Sequence, residues 1–127
     1  LVFSAAFTFA QQSEHAGTTL EFIVQPDVFA EPVRRLLPRF TEETGIIVNM
    51  ETLPYASLRE RQLSDFIGGT GSVDIMTMDI VWMGEYAEAG WIEPLGPYFE
   101  RDAELIDVDD FLPGAMAGLA LWDGEYY

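Results

Sequence analysis

Three times between Leu20 and Ala89 a short β-branched or apolar run gives way to a stretch with helical spacing, and this alternation constrains the fold more than any other feature of the sequence. Leu20-Glu21-Phe22-Ile23-Val24 reads as a first strand. From Ala30 to Thr44, Val33, Leu36, Leu37 and Phe40 fall at i, i+3, i+4 and i+7, the spacing of one helix face, and Gly45 follows as a C′ residue. Pro32 suits the first turn of that helix, whereas Pro38 predicts a kink or a break into two pieces. Ile46 to Met50 gives a second strand. Ser57 and Glu60 make a capping-box pattern for a second helix that buries Leu63, Phe66 and Ile67 and ends at Gly68, Gly69 and Gly71. Val73 to Met78 is a third strand, and Val81 to Ala89 a third helix with Trp82, Met83, Tyr86 and Ala87 on one side and Gly90 as its cap. Strands that alternate with helices in short units pair in parallel through right-handed crossovers. The expected fold is therefore α/β, a parallel sheet in the strand order 2-1-3, covered by helices.

Beyond Gly90 the pattern loosens. Glu93 to Pro97 reads as a loop, Asp102 to Asp110 as a solvated acidic stretch, Phe111 to Leu119 as a short helix, and Asp123-Gly124 as a turn before Tyr126-Tyr127. With 127 residues the expectation is one domain or a piece of one. At the other end, Leu1 to Ala10 is apolar and uncharged, with small Thr8 and Ala10 before polar Gln11 to Thr19. That run resembles the tail of a secretory leader cut after Ala10, so residues 1–18 are assigned to a partial signal peptide and linker and 19–127 to the folded portion.

Charge excludes some functions and favours others. Twenty-two acidic residues against six basic ones leave a formal net charge of −16. Such a field repels nucleic-acid backbones and anionic membranes, and a neutral or cationic small molecule fits it better. Solvation of the surface, as in salt-adapted proteins, accounts for acidity of this kind as well. No cysteine is present, so thiol chemistry, disulfides and a lipid anchor near the cut are excluded. His15, the only histidine, stands in the linker, which argues against a histidine metal site. Gly68 to Ser72 follows a helix and has no Lys after it, so it is no P-loop, and Asp109-Asp110 lacks the pattern of a calcium loop. Neither a cofactor nor a catalytic constellation is expected.

In open parallel sheets ligands bind beyond the carboxyl ends of the strands, where neighbouring connections diverge. With a 2-1-3 order that position falls after the first and third strands, at Gln25-Pro26-Asp27 and Met78-Asp79-Ile80. Asp27 and Asp79 could accept hydrogen bonds from ligand hydroxyls and Trp82 could offer a flat apolar face. Asp79 is equally an N-cap for the third helix, a compatible role, and Trp82 in a first helical turn is equally a core residue.

Asp74-Ile75-Met76-Thr77-Met78-Asp79-Ile80-Val81-Trp82, with Tyr86 to Leu95 after it, resembles extracellular solute-binding protein family 1. Phe40 to Ile46 resembles the family's first helix-to-strand junction, and Trp122 to Tyr127 its approach to the hinge. The resemblance implies a parallel-sheet lobe of a type II periplasmic-binding-protein-like fold, with the second lobe missing after Tyr127. It also implies a periplasmic or extracellular, monomeric, non-enzymatic receptor that captures a sugar or oligosaccharide for the permease of an ABC importer. Its cleft residues would map to Asp27, Met78, Asp79, Val81 and Trp82. Two readings of other classes compete with it. A phosphoacceptor receiver domain would use Asp79 as acceptor, but it needs an acidic pair after the first strand and a downstream Lys that this chain lacks. An exported carbohydrate-active enzyme would need a second carboxylate at a defined separation from Asp79.

Overall fold

The computed structural model describes residues 14–127. The expected leader, Leu1 to Ala10, lies outside the described residues. The chain folds as two compact units, one ending at Thr77 and the other starting at Met78.

The first unit holds strand β1 (Thr19–Val24), helix α1 (Ala30–Thr44), strand β2 (Ile47–Thr52), helix α2 (Tyr55–Gly68) and strand β3 (Ile75–Met76). All three strands are parallel in the order β2-β1-β3, as the alternation predicts. β1 lies in the centre, pairing with β2 from Thr19↔Ile47 to Val24↔Thr52 and with β3 at Phe22↔Ile75 and Ile23↔Met76. Its carboxyl half, Ile23 and Val24, is buried. β3 is shorter than the six residues the sequence suggests because side chains replace ladder carbonyls at both ends: Asp74 Oδ2 accepts the N–H of Glu21 at 2.8 Å, and the Thr77 hydroxyl accepts that of Gln25 at 3.1 Å.

α1 has the predicted bounds. Gly45 takes the left-handed conformation (φ 74°) with its N–H on the Thr41 carbonyl, and a Cβ there would stand 2.7 Å from that of Ala16. Glycine is thus required on two counts. The supposed linker is fixed at this point, since Gly17 N–H donates to the Gly45 carbonyl and Ile47 N–H to that of Thr18. Pro38 does not split α1. Pro38 and Arg34, whose carbonyl loses its helical donor, are both exposed, so water can take up the missing bond. The covered stripe is Ala30, Val33, Leu37, Thr41 and Thr44, while Leu36 and Phe40 face outward.

α2 corrects the sequence reading in two ways. It starts at Tyr55 after Pro54, whose carbonyl accepts the N–H of Leu58, so Ser57 lies inside the first turn and forms no capping box. Its buried stripe is Leu58, Gln62 and Asp65, and Ile67 is exposed. Two polar groups therefore occupy positions that periodicity assigns to apolar ones, and both are hydrogen-bonded. Asp65 Oδ1 accepts from the Thr70 hydroxyl, from Ser72 Oγ at 2.6 Å and from Ser72 N–H at 2.9 Å. These donors hold the carboxyl at a pKa of about 2 by stabilising its charged form.

The second unit contains α3 (Ile80–Glu88), α4 (Gly96–Arg101), a 3-10 turn at Val108–Asp110, α5 (Pro113–Leu119) and a hairpin of β4 (Leu121–Trp122) and β5 (Glu125–Tyr126). Trp82, Met83 and Tyr86 of α3 are buried, and the Tyr86 ring lies 6.3 Å from that of Trp82 and 5.9 Å from that of Trp91. Gly90 (φ 67°) closes α3 as predicted, with Trp91 N–H returning to the Tyr86 carbonyl. Asp123 and Gly124 both have positive φ, the arrangement of a two-residue hairpin turn. α4 begins inside the segment that the sequence suggests as a loop: Pro97 occupies its first turn, where no donor is needed.

Candidate functional site

In the first unit the carboxyl end of the sheet is cross-linked by polar contacts. Thr77, one residue past β3, donates its N–H to the Ile23 carbonyl at 3.1 Å, and its hydroxyl accepts the N–H of Gln25 at 3.1 Å. Its carbonyl accepts from Gln62 Nε2 at 2.7 Å, and Gln62 is fully buried. Leu53 N–H reaches the Val24 carbonyl at 2.9 Å. One threonine and one buried glutamine thus lock the ends of β1 and β3, while a backbone bond locks β2 to β1, a rigid base for a binding edge.

Asp27 stands at this edge. Its Oδ1 accepts the N–H groups of Phe29 at 2.9 Å and Ala30 at 3.1 Å, donors that no turn of α1 could satisfy. An ionised carboxylate has about four acceptor positions, so capping leaves capacity for a ligand hydroxyl.

Met78, Asp79, Val81 and Trp82 come together as the turn that opens the second unit. Asp79 is the N-cap of α3, its Oδ1 accepting the N–H of Val81 at 3.1 Å. Met78 and Asp79 are half-buried and Val81 is 73% exposed. Trp82 is 2% exposed, so its indole packs in the interior and offers no open face to a ring. Of the two roles open to Trp82, core or contact, this burial fits the core one: the side chain continues the buried stripe of Met83 and Tyr86.

Two aromatic residues near the carboxyl ends of β1 and β2 are exposed. Phe29 is 69% exposed just before α1, and Tyr55, 45% exposed, is the first residue of α2. The second unit also carries an open cavity of about 680 Å³ bordered by Phe99, Glu104, Ile106, Asp107 and Tyr126, which includes none of the residues above. Among the described residues no group of His, Asp and Glu is arranged to hold a metal ion, and no helix is long and apolar enough to cross a membrane.

Residues 24–127 match the family described as bacterial extracellular solute-binding protein. The chain belongs to this family. Among its relatives, an erythritol/L-threitol-binding protein of Mycolicibacterium smegmatis is 29% identical over 113 residues, 87% of this chain and 24% of that protein. The crystal structure of an ABC transporter solute-binding protein from Agrobacterium radiobacter K84, in complex with ribitol, superposes with a TM-score of 0.82 at 34% identity, covering 87% of this chain and 28% of the other. The sugar-binding protein MalE of Xanthomonas citri gives a TM-score of 0.74 at 28% identity, with 87% and 27% covered. The chain spans about a quarter of the length of the relatives it matches. Membership supports the expected parallel-sheet lobe and leaves the receiver-domain and carbohydrate-active-enzyme readings without support.

Proposed function

We propose that residues 19–127 form part of the first lobe of an extracytoplasmic receptor that captures a neutral polyhydroxylated solute, a polyol or a sugar, and presents it to the permease of an ABC importer. The observation that carries this reading is the carboxyl edge of the β2-β1-β3 sheet, where Thr77 and Gln62 fix the strand ends beneath Asp27 in a chain of this family. Ligands of open parallel sheets bind at this edge. A carboxylate that accepts and cannot donate selects hydroxyl and amine donors over anions, and the net charge of −16 acts in the same direction at longer range. One relative binds erythritol or L-threitol and another is seen in complex with ribitol, which supports trying linear polyols beside sugars as first ligands. Asp27, Met78, Asp79 and Val81 are the proposed contacts from this part of the chain. Export across the inner membrane follows from the same reading, with Leu1 to Ala10 as the end of the leader.

The test is calorimetric titration of a chain carrying this sequence at the length of its relatives, against erythritol, ribitol, mannitol and maltose, with inorganic phosphate as the anionic control. Saturable binding of a polyol or sugar, and none of phosphate, is expected. Binding of phosphate alone would overturn the reading.

A further inference from the structure

Between Met78 and Tyr127 twelve acidic residues stand against one basic residue, Arg101, so the second unit carries most of the chain's negative charge. That one cation is already engaged. Its Nε donates to Asp102 Oδ1 at 2.9 Å and its Nη2 to Oδ2 at 2.5 Å, with the guanidinium 5.0 Å from the centre of the Tyr98 ring. The open cavity of about 680 Å³ in this unit has a lining that is part apolar and part acidic. Phe99, Ile106, Val108 and Tyr126 are half-buried around it. Leu105, also at the cavity, is 87% exposed, more than any other large apolar side chain among the described residues. Glu100, Glu104, Asp107 and Asp109 border the cavity as exposed carboxylates, and none of them is paired with a basic side chain among the described residues.

The walls of this groove are held in place. Leu95 N–H donates to the Tyr126 carbonyl at 2.7 Å, which ties the start of α4 to β5, and the Phe99 and Tyr126 rings lie 6.0 Å apart. After α4 the chain turns on Asp102, whose carbonyl accepts the N–H groups of Leu105 at 2.8 Å and Ile106 at 2.9 Å. Leu105 is therefore presented by a hydrogen-bonded turn, and a partner that covers it removes apolar surface from water. An open groove does not enclose most of a small molecule's surface, as tight small-ligand sites do, and suits an extended occupant better. The carboxylates are spread over α4, the turn after it and the 3-10 turn, and among the described residues no group of acidic side chains is arranged to hold a metal ion. The matching charge must be spread as well, as it is along a peptide with several Lys or Arg side chains. A second copy of the chain, itself at −16, brings charge of the same sign. We propose that this groove docks a basic segment of another polypeptide in which Lys or Arg alternate with apolar side chains. The cations of that segment meet Glu100, Glu104, Asp107 and Asp109, while its apolar side chains cover Leu105 and the Phe99–Tyr126 pair. The groove shares no residue with the proposed solute contacts, so this inference stands independently of the solute reading.

The experiment titrates the chain at the length of its relatives with three short peptides, one alternating lysine and leucine, one lysine and serine, and one glutamate and leucine. Saturable binding of the lysine-leucine peptide is expected at about 20 mM sodium chloride and weaker binding at about 200 mM. The lysine-serine peptide should bind at least about fivefold more weakly, and the glutamate-leucine peptide not at all. Leu105→Ser should weaken lysine-leucine binding about tenfold, and Glu104→Gln with Asp107→Asn about threefold to tenfold. Glu42→Gln with Glu51→Gln removes the same charge from exposed positions of the first unit and should change binding by less than about twofold. Melting temperatures should stay within about 2 °C of the parent, as for other exposed positions. If Leu105→Ser lowers its melting temperature further, the Glu104/Asp107 pair and the lysine-serine peptide decide the matter. Equal losses from the two pairs of charge substitutions would mean diffuse attraction to an acidic chain and overturn the proposal, as would equal affinity for the lysine-leucine and lysine-serine peptides. No binding by the parent at either salt concentration, the result expected if another part of the chain or a second copy covers the groove, overturns it as well.

Discussion

Gln62 Nε2 donates a 2.7 Å hydrogen bond to the carbonyl oxygen of Thr77, joining a fully buried position of α2 to the residue that ends the first unit. Gln62→Leu keeps the volume but leaves that carbonyl without its donor in the interior. A buried acceptor without a partner costs about 1–3 kcal/mol. Urea denaturation should therefore show a lower midpoint with an unchanged slope, and a midpoint equal to that of the parent would mean that the bond contributes nothing.

Acid should loosen the loop after α2 through Asp65. Its carboxyl has a pKa of about 2 in the fold against an ordinary value of 3.8, chiefly because the Ser72 and Thr70 hydroxyls donate to it. A depressed folded value contributes stability in full above the ordinary value, and that contribution disappears as pH falls from about 4 through about 2. The amount is on the order of 2 kcal/mol. Denaturation midpoints of the parent and of Asp65→Asn should differ at pH 6 and converge near pH 2, so a difference that stays constant over that range would contradict the account.

Gly84 of α3 packs under the indole of Trp122, where an added Cβ would stand 2.7 Å from both Cη2 and Cζ2. Gly84→Ala must displace the ring; overpacking at a packed site costs about 1–3 kcal/mol, reduced here because Trp122 is 43% exposed and alanine favours the helix by about 1 kcal/mol. Trp122→Phe removes the atoms in conflict. The double variant should recover part of the loss, and strict additivity in a double-mutant cycle would show that the two residues do not interact.

Asp79 permits separation of capping from ligand binding. Asp79→Asn keeps an oxygen acceptor for the Val81 N–H and should leave the melting temperature near that of the parent, whereas Asp79→Ala costs about 1 kcal/mol of stability as well. If Asp79 accepts from a ligand hydroxyl, loss of the charged acceptor lowers affinity about tenfold to a hundredfold in the chain at its relatives' length. Trp82→Ala is expected to act on folding, with a loss of about 3–5 kcal/mol for a buried aromatic. Titration calorimetry with thermal melts checks each case; unchanged affinity in folded Asp79→Ala would remove Asp79 from the site.

Where sequence reasoning succeeded, local chemistry and tertiary structure asked for the same residue. Gly45 and Gly90 adopt left-handed conformations that close α1 and α3, Asp123-Gly124 makes the hairpin turn, and three strand-helix alternations yield the 2-1-3 parallel sheet. It failed where a polar side chain replaced a backbone or apolar partner. Asp74 takes a ladder bond and shortens β3, and Gln62 and Asp65 are buried because Thr77, Thr70 and Ser72 satisfy them. No pattern of apolar residues reveals partners of that kind. Around the proposed site, the strand order and the cap at Asp79 were legible from the sequence, but burial of Trp82 and exposure of Phe29 depend on packing between segments distant in the sequence.

The centre of the sheet is also its first strand in the sequence, and that order has a consequence for synthesis. Leu20, Phe22, Ile23 and Val24 leave the ribosome before either neighbour exists, and the pairing of Phe22 with Ile75 must wait until both helical crossovers have followed. Sheets that rely on such distant partners form slowly, and their apolar strands stay open to other proteins meanwhile. For a chain exported unfolded through a translocation channel, as the proposed function requires, such a delay would be useful: the central strand of the first unit's sheet cannot close before its partners emerge.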